Sequence, residues 1–315
     1  MNKTWHGDLG LLMEKHLQLR SAVGRVGEAN ASNLYQFNLF LNQQYPNLKT
    51  LNRIVILDFL RGKENLSNGG RRNYIINIRQ FCIYLNQRGI KCYVPDKTLM
   101  PKYRYRPRYS PLSESDLILF MQAARLIRAN RPFIGESYAT MLGLLWCTGM
   151  RRREIVRLTH TDVDLKQGIL FVRETKFQKD RIIPLGPSVI KALENYEKLK
   201  MTEGHSVAGK SPFFTNLVGK AMPGHSVSTA FNRIIKKMGV TDENGKYPCL
   251  HNLRHNFATQ TMARFMKDPQ TFPVSASMAR LSTYLGHVSI FHTQYYLHPD
   301  FNLMQGALEK FGFSK

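Results

Sequence analysis

The sequence predicts a two-domain protein, mainly α-helical with a small antiparallel β-sheet: an all-helical N-terminal domain, then an α+β domain. Three observations predict it. The length of 315 residues fits two domains of ordinary size. Apolar residues recur at helical spacing through the first third of the chain, with no strand pattern among them. Two short runs in the second part, Ile169 to Val172 and Arg181 to Pro184, are β-rich and separated by a polar turn, which reads as a hairpin.

In the N-terminal domain, expected over residues 1–96, the first helix spans 8–24, with Leu9, Leu12, His16 and Leu19 at helical spacing. A second covers 31–44 through Leu34, Phe37 and Leu41, and a third runs through Ile54, Leu57 and Leu60. A fourth starts after Ser67, a residue type that caps helices, and continues through Tyr74, Ile78, Phe81 and Leu85. Residues 97–112 read as an extended linker, because Pro95, Pro101, Pro107 and Pro111 restrict the backbone to extended forms. The second domain, 113–315, opens at Ser113 with acids in the first helical turn, where the helix dipole favours them. Helices then run to about Leu158, before the hairpin. After it they are expected to Lys200 and over 226–239, 251–267, 279–286, 289–297 and 301–312. In the last, Phe301, Met304, Leu308 and Phe311 form one apolar face.

Charge narrows the function. With 45 Lys+Arg against 22 Asp+Glu the net charge is +23, and residues 1–108 alone carry 18 basic and 6 acidic residues. Such a protein attracts polyanions, of which nucleic acid is the commonest. In the linker, Lys102, Arg104, Arg106 and Arg108 stand at every second position between tyrosines, an arrangement suited to a phosphate backbone. A solvated linker is the plain alternative. None of the four cysteines forms a C-x-x-C pair, so a zinc knuckle is not expected, and Cys82 and Cys147 sit in apolar runs that read as core. Residues 1–10 lack the apolar run of a signal peptide, and the stretch Met141 to Cys147 is too short for a membrane span. The expectation is a cytoplasmic, DNA-associated protein with no membrane partner.

Four segments carry chemistry. In Thr148-Gly149-Met150-Arg151-Arg152-Arg153-Glu154, a glycine turn leads into a helix start beside an arginine, a phosphate site in outline. Lys176 stands in the hairpin turn, where it can reach a DNA groove or simply be solvated. In His251-Asn252-Leu253-Arg254-His255, the two histidines share a helix face. That spacing invites a zinc reading. Asn252 replaces the glutamate that a metallopeptidase helix needs, and Arg254 would repel the cation, so the trio suits a phosphate better. The fourth segment is Leu285-Gly286-His287 followed by Tyr295 and Tyr296. A phenol is a poor nucleophile near its ordinary pKa, but arginines and histidines around a phosphodiester would stabilise its phenolate.

In this order, with Tyr296 nine residues after His287, the segments resemble the tyrosine recombinase family, which includes phage integrases and Xer-type chromosome resolvases. The resemblance covers roughly residues 110–300, and the four-helix N-terminal part with Arg79-Gln80-Phe81 is similar to the family's core-binding domain. The run Leu281 to His287 resembles the transposon-borne subgroup. The resemblance implies a site-specific recombinase that cuts and rejoins double-stranded DNA through a 3′-phosphotyrosine, for integration, excision, transposition or resolution. It implies that Arg151 and Arg254 clamp the scissile phosphate and that Lys176 protonates the 5′-oxygen. His251 and His287 would hydrogen-bond the phosphate, Tyr296 would attack, and Glu154 and His255 would support these groups. It implies no metal and no cofactor, a homotetramer on paired sites, and accessory recombinases or DNA-bending proteins as further partners. Phe177 stands after Lys176 where many relatives carry glycine, and Arg152 and Arg153 add charge beside Arg151. A strand-relaxing topoisomerase of the same chemistry and a non-catalytic DNA-binding protein with this fold are the competing readings.

Overall fold

The computed structural model describes residues 3–23, 28–102, 112–128, 130–173, 180–242, 245–267, 274–286 and 293. The chain divides into two units, Met1–Arg106 and Pro107–Lys315.

In the first unit, α1 (Gly7–Ala22), α2 (Glu28–Gln44), α3 (Arg53–Arg61) and α4 (Asn68–Gln87) occupy the four expected positions. The caps are side-chain oxygens. Asn52 accepts from the Val55 N–H at 3.0 Å, and Ser67 accepts from the Gly70 N–H at 3.3 Å, each filling a donor the helix start leaves unpaired. Met13, Phe37, Ile56, Phe59, Phe81 and Leu85 form the core between them. The buried stripe of α1 is Leu9, Met13, His16 and Leu17, whereas Leu19 is exposed. Leu19 lies about 100° around the helix from the centre of that stripe. Beyond α4 the chain folds back, and Arg79 donates to the Pro95 carbonyl. Lys97–Leu99 then forms a single 3-10 turn, because Asp96 caps it by accepting from the Thr98 N–H at 2.8 Å. The stretch expected to run extended therefore begins with a turn. Residues 103–111, with Arg104, Arg106 and Arg108, lie outside the described residues.

The second unit opens with α5 (Glu114–Arg125), where Ser113 and Asp116 form a reciprocal capping box. The helix α6 (Pro132–Thr148) is apolar nearly all round and runs through the centre of the unit. It ends at Gly149, and the four-residue helix α7 (Arg152–Ile155) comes next. The hairpin is β2 (Ile169–Val172) against β3 (Arg181–Pro184), antiparallel, with Val172 opposite Arg181 and Leu170 opposite Ile183. A two-residue strand β1 (Val163–Asp164), too short to leave a sequence pattern, extends the sheet in the order β1-β2-β3. Then come α8 (Pro187–Thr202), α9 (Gly224–Met238), α10 (His251–Lys267) and α11 (Val274–Leu285). The last starts five residues earlier than its spacing predicts. Phe133, Tyr196, Phe213 and Phe214 pack as an aromatic cluster beside α6. Lys200 is fully buried, with Nζ 2.7 Å from His160 Nε2, whose Nδ1 meets Glu197 at 2.8 Å.

Cys82 is buried, but Cys147 is exposed, because its position on α6 faces away from the core. No helix among the described residues is long and apolar enough to cross a membrane. The helices expected over 289–297 and 301–312 lie outside the described residues.

Candidate active site

The site grows from the end of α6. Gly149 caps that helix with φ 60°, a left-handed conformation that L side chains rarely adopt. A Cβ here would also stand 2.5 Å from Phe257 Cδ1, so both backbone and packing demand glycine. The reversal turns the chain into α7 and sets Arg151 at its N-cap.

The Glu154 carboxylate holds two arginines together. Its Oε2 accepts the Arg151 backbone N–H at 2.8 Å, and its Oε1 accepts Arg151 Nη1 at 2.8 Å. From β3, Arg181 donates to the same two oxygens, Nη2 at 2.7 Å and Nη1 at 3.1 Å. Burial alone would raise the Glu154 pKa. The Arg181 bond and charge, then the Arg151 N–H and charge, outweigh it and hold the carboxyl at about 2.

Arg151 and Arg254 take consecutive carbonyls at the end of α11: Arg254 Nη2 donates to Leu285 O at 2.7 Å, and Arg151 Nη2 to Gly286 O at 3.1 Å. Helix C-termini leave such carbonyls unpaired and carry partial negative charge, which draws cations. Arg254 also donates through Nη1 to Gly149 O at 2.7 Å. Gly286 has φ 65°, and a Cβ there would lie 3.4 Å from Arg181 Nη1 and 3.7 Å from Arg151 Nη1. Those are ordinary packing distances, so it is the left-handed backbone rather than space that favours glycine here. Arg254 is 2% exposed, while the Arg151 side chain keeps 28% of its surface open to solvent.

His251 begins α10 and reaches solvent, and His255, one turn on, is buried; their rings meet edge to face at 4.7 Å. The protein packed around His251, then the charges of Arg254 and Arg151, lower its pKa to about 4. Burial, then His251 and Arg254, lowers His255 to about 3. Both are neutral at pH 7. Tyr284 stacks on Phe257 at 5.4 Å, and burial raises its phenol to about 12 despite the charges of Arg181 and Arg254. Among the described residues no group of three His, Cys, Asp or Glu stands close enough to hold a metal ion.

Residues 116–302 match the model of the phage integrase family. The chain belongs to that family, the tyrosine recombinases. These are enzymes of site-specific DNA recombination, and so is this protein. It is 31% identical to a protein of Sinorhizobium fredii named as an integrase/recombinase, y4rE, over 96% of this chain and 95% of that one. It is 29% identical to the tyrosine recombinase XerD of Pseudomonas aeruginosa, over 86% of this chain and 85% of that one. Its fold is also that of the XerH site-specific recombinase, at TM-score 0.64 and 20% identity, covering 96% of this chain and 84% of that chain. The integrase of transposon Tn1549 aligns at TM-score 0.64 and 17% identity over 95% of this chain and 98% of that one.

Of the residues singled out in this recombinase from sequence, Arg151, Glu154, His251, Arg254 and His255 come together around Gly149 and the end of α11. Lys102 lies in the first unit, where its carbonyl accepts from Asn68 Nδ2 at 3.2 Å. Lys176, His287 and Tyr296 lie outside the described residues. Sequence reasoning passed over Arg181 and gave Gly286 no role of its own. The signal for Arg181 was strand alternation: it shares a face with Ile183, which is fully buried, and an arginine on a core face requires an acid.

Proposed function

We propose that this recombinase cuts and rejoins double-stranded DNA through a 3′-phosphotyrosine at Tyr296. The observation that carries the reading is the convergence of Arg151, Arg254 and His251, from two distant segments, beside the end of α11, next in sequence to His287. Two guanidiniums share the one carboxylate of Glu154, and a third, Arg254, joins the site through backbone carbonyls, which leaves surplus positive charge, the electrostatic requirement for a phosphodiester.

In the cutting step the Tyr296 phenolate attacks the scissile phosphorus. A phosphotyrosyl bond forms to the 3′ end, and the 5′-oxygen leaves with a proton from Lys176. Arg151 and Arg254 stabilise the negative charge of the pentacoordinate phosphate through their guanidinium charges. His251, neutral at pH 7, hydrogen-bonds the phosphate and assists proton transfer together with His287. In rejoining, a 5′-hydroxyl attacks and the phenolate leaves, so the bond energy is conserved and neither metal nor cofactor is drawn on. Glu154 and His255 support these groups. The XerH structure is a complex with its difH substrate, and the Tn1549 integrase structure contains transposon end DNA, in keeping with this reading.

The working organisation is a core-binding domain over 1–96, a basic linker over 97–112 whose Lys102, Arg104, Arg106 and Arg108 follow the DNA backbone, and a catalytic domain over 113–315. Recombination proceeds in a homotetramer on paired sites in the cytoplasm, with accessory recombinases or DNA-bending proteins as further partners. The experiment is a nicked suicide duplex, incubated in EDTA and run on a denaturing gel. A slow-migrating protein–DNA adduct with release of a free 5′-hydroxyl fragment is the expected result. No adduct would overturn the reading, and an adduct that needs added zinc or magnesium would restore the metal reading of His251 and His255.

A further inference from the structure

Arg181 has no place in the cleavage chemistry, yet it is built into the site more tightly than Arg151. It is the first residue of β3, and its side chain is 10% exposed. Both of its terminal nitrogens bond the Glu154 carboxylate, a bidentate geometry that fixes the plane of the acceptor. Each of the same two oxygens also accepts one bond from Arg151, from its backbone N–H and from Nη1. Four donors therefore converge on a single carboxylate, two from each arginine.

We propose that Arg181 is a positioning residue for DNA cleavage, acting through Glu154 to orient Arg151 and to keep its charge available to the scissile phosphate. The contacts have two consequences. With Arg181 in place, the carboxylate is shared and the trio keeps one net positive charge. Without it, Glu154 and Arg151 become an isolated neutral pair, and the field at the phosphate weakens. The second consequence concerns the hairpin. Arg181 is the strand residue that leads out of residues 174–179, which include Lys176 in the sequence. Its bond to Glu154 thus ties the strand after the proposed general acid to the turn that carries the proposed phosphate arginine.

The proposal rests on the recombinase chemistry of Tyr296, and its test separates the two. Arg181→Met and Arg181→Lys are compared with wild type in the full-length protein. Single-turnover adduct formation on the suicide duplex should fall ~10- to 100-fold in Arg181→Met, the usual effect of removing a group that orients a catalytic one. The duplex dissociation constant should stay within about 2-fold, since affinity comes mainly from phosphate contacts and both terminal nitrogens of this side chain are bonded to Glu154. Arg181→Lys, which keeps the charge and loses the fork, should recover part of the rate. The Glu154 carboxyl, followed by carbon-13 NMR in the DNA-free protein, should titrate higher in Arg181→Met. An unchanged cleavage rate, or DNA affinity falling in parallel with the rate, overturns the positioning role. A Glu154 titration that does not move overturns the coupling even if Arg181→Met loses activity by misfolding. Absence of adduct in wild type sinks the recombinase chemistry instead, and the Glu154 titration still tests the coupling.

Discussion

Arg254 donates to the carbonyl of Gly149 at 2.7 Å, across 105 residues of sequence. The bond joins the α6 end that presents Arg151 to the helix that carries His251, and the other arm of the same guanidinium reaches Leu285 on α11. A single buried side chain therefore sets three segments against one another.

The Gly149 turn is the first point at which this arrangement can be tested. Gly149→Ala places a Cβ 2.5 Å from Phe257 Cδ1 and forces an L residue to φ 60°. The expected loss is about 1–3 kcal/mol of stability from the backbone conformation, with more from the clash. Denaturant unfolding checks it. Adding Phe257→Ala should relieve the clash but leave the backbone cost. Full recovery by the second change would show that the conformation itself costs nothing.

The choice of nucleophile falls among neighbouring tyrosines. Tyr296→Phe should abolish the covalent adduct while DNA binding persists. Tyr295→Phe should retain it, since the nine-residue spacing from His287 selects Tyr296. Tyr284→Phe should retain it as well, because burial holds that phenol at about 12 and its ring stacks on Phe257. A denaturing gel of the three variants decides, and an adduct from Tyr296→Phe with none from Tyr295→Phe would shift the assignment by one residue.

Stability should fall on the acid side for a reason located in the histidines. His251 and His255 titrate at about 4 and about 3 in the folded protein, below the ordinary 6.5. The unfolded chain therefore binds more protons between those values and 6.5. The stabilisation is fully present above pH 6.5 and is lost as pH falls through 6.5 toward the folded values. His16 and His160, both lowered to about 4, add in the same direction. His255→Gln should flatten the difference between denaturant midpoints at pH 7.5 and pH 5.0. An undiminished difference would mean that this histidine does not contribute.

DNA affinity should depend steeply on salt, and the linker should account for part of that dependence. Replacing Lys102, Arg104, Arg106 and Arg108 together by Ala should reduce the slope of log affinity against log salt. The reduction should be up to about 0.9 for each phosphate that is no longer neutralised. Preference between sites should change little, because phosphate contacts carry no base information. An unchanged slope in a salt titration would remove the linker from the interface.

The helices of the first unit were legible because their local signals agree. Ser67 caps, Leu34, Phe37 and Leu41 recur at helical spacing in α2 as Ile78, Phe81 and Leu85 do in α4, and no competing strand pattern intervenes. Errors came where neighbouring elements decide. Cys147 lies in an apolar run, but which way position 147 faces depends on what surrounds α6. The apolar face of α1 turned past Leu19, because helical spacing alone permits several stripes.

The site divides along the same line. The order of Gly149-x-Arg151, His251-x-x-Arg254 and Gly286-His287, and hence the family, was determined by the sequence alone, since motif order is a property of the chain. What only the tertiary structure decided is the pairing: that Arg254 reaches back to Gly149, that Arg151 and Arg254 take adjacent carbonyls at the end of α11, and that Arg181 shares Glu154 with Arg151. The physical reason is distance along the chain. A hydrogen bond between residues 27 or 105 positions apart leaves no periodicity, and it exists only once the packing of α6, β3, α10 and α11 brings donor and acceptor within reach.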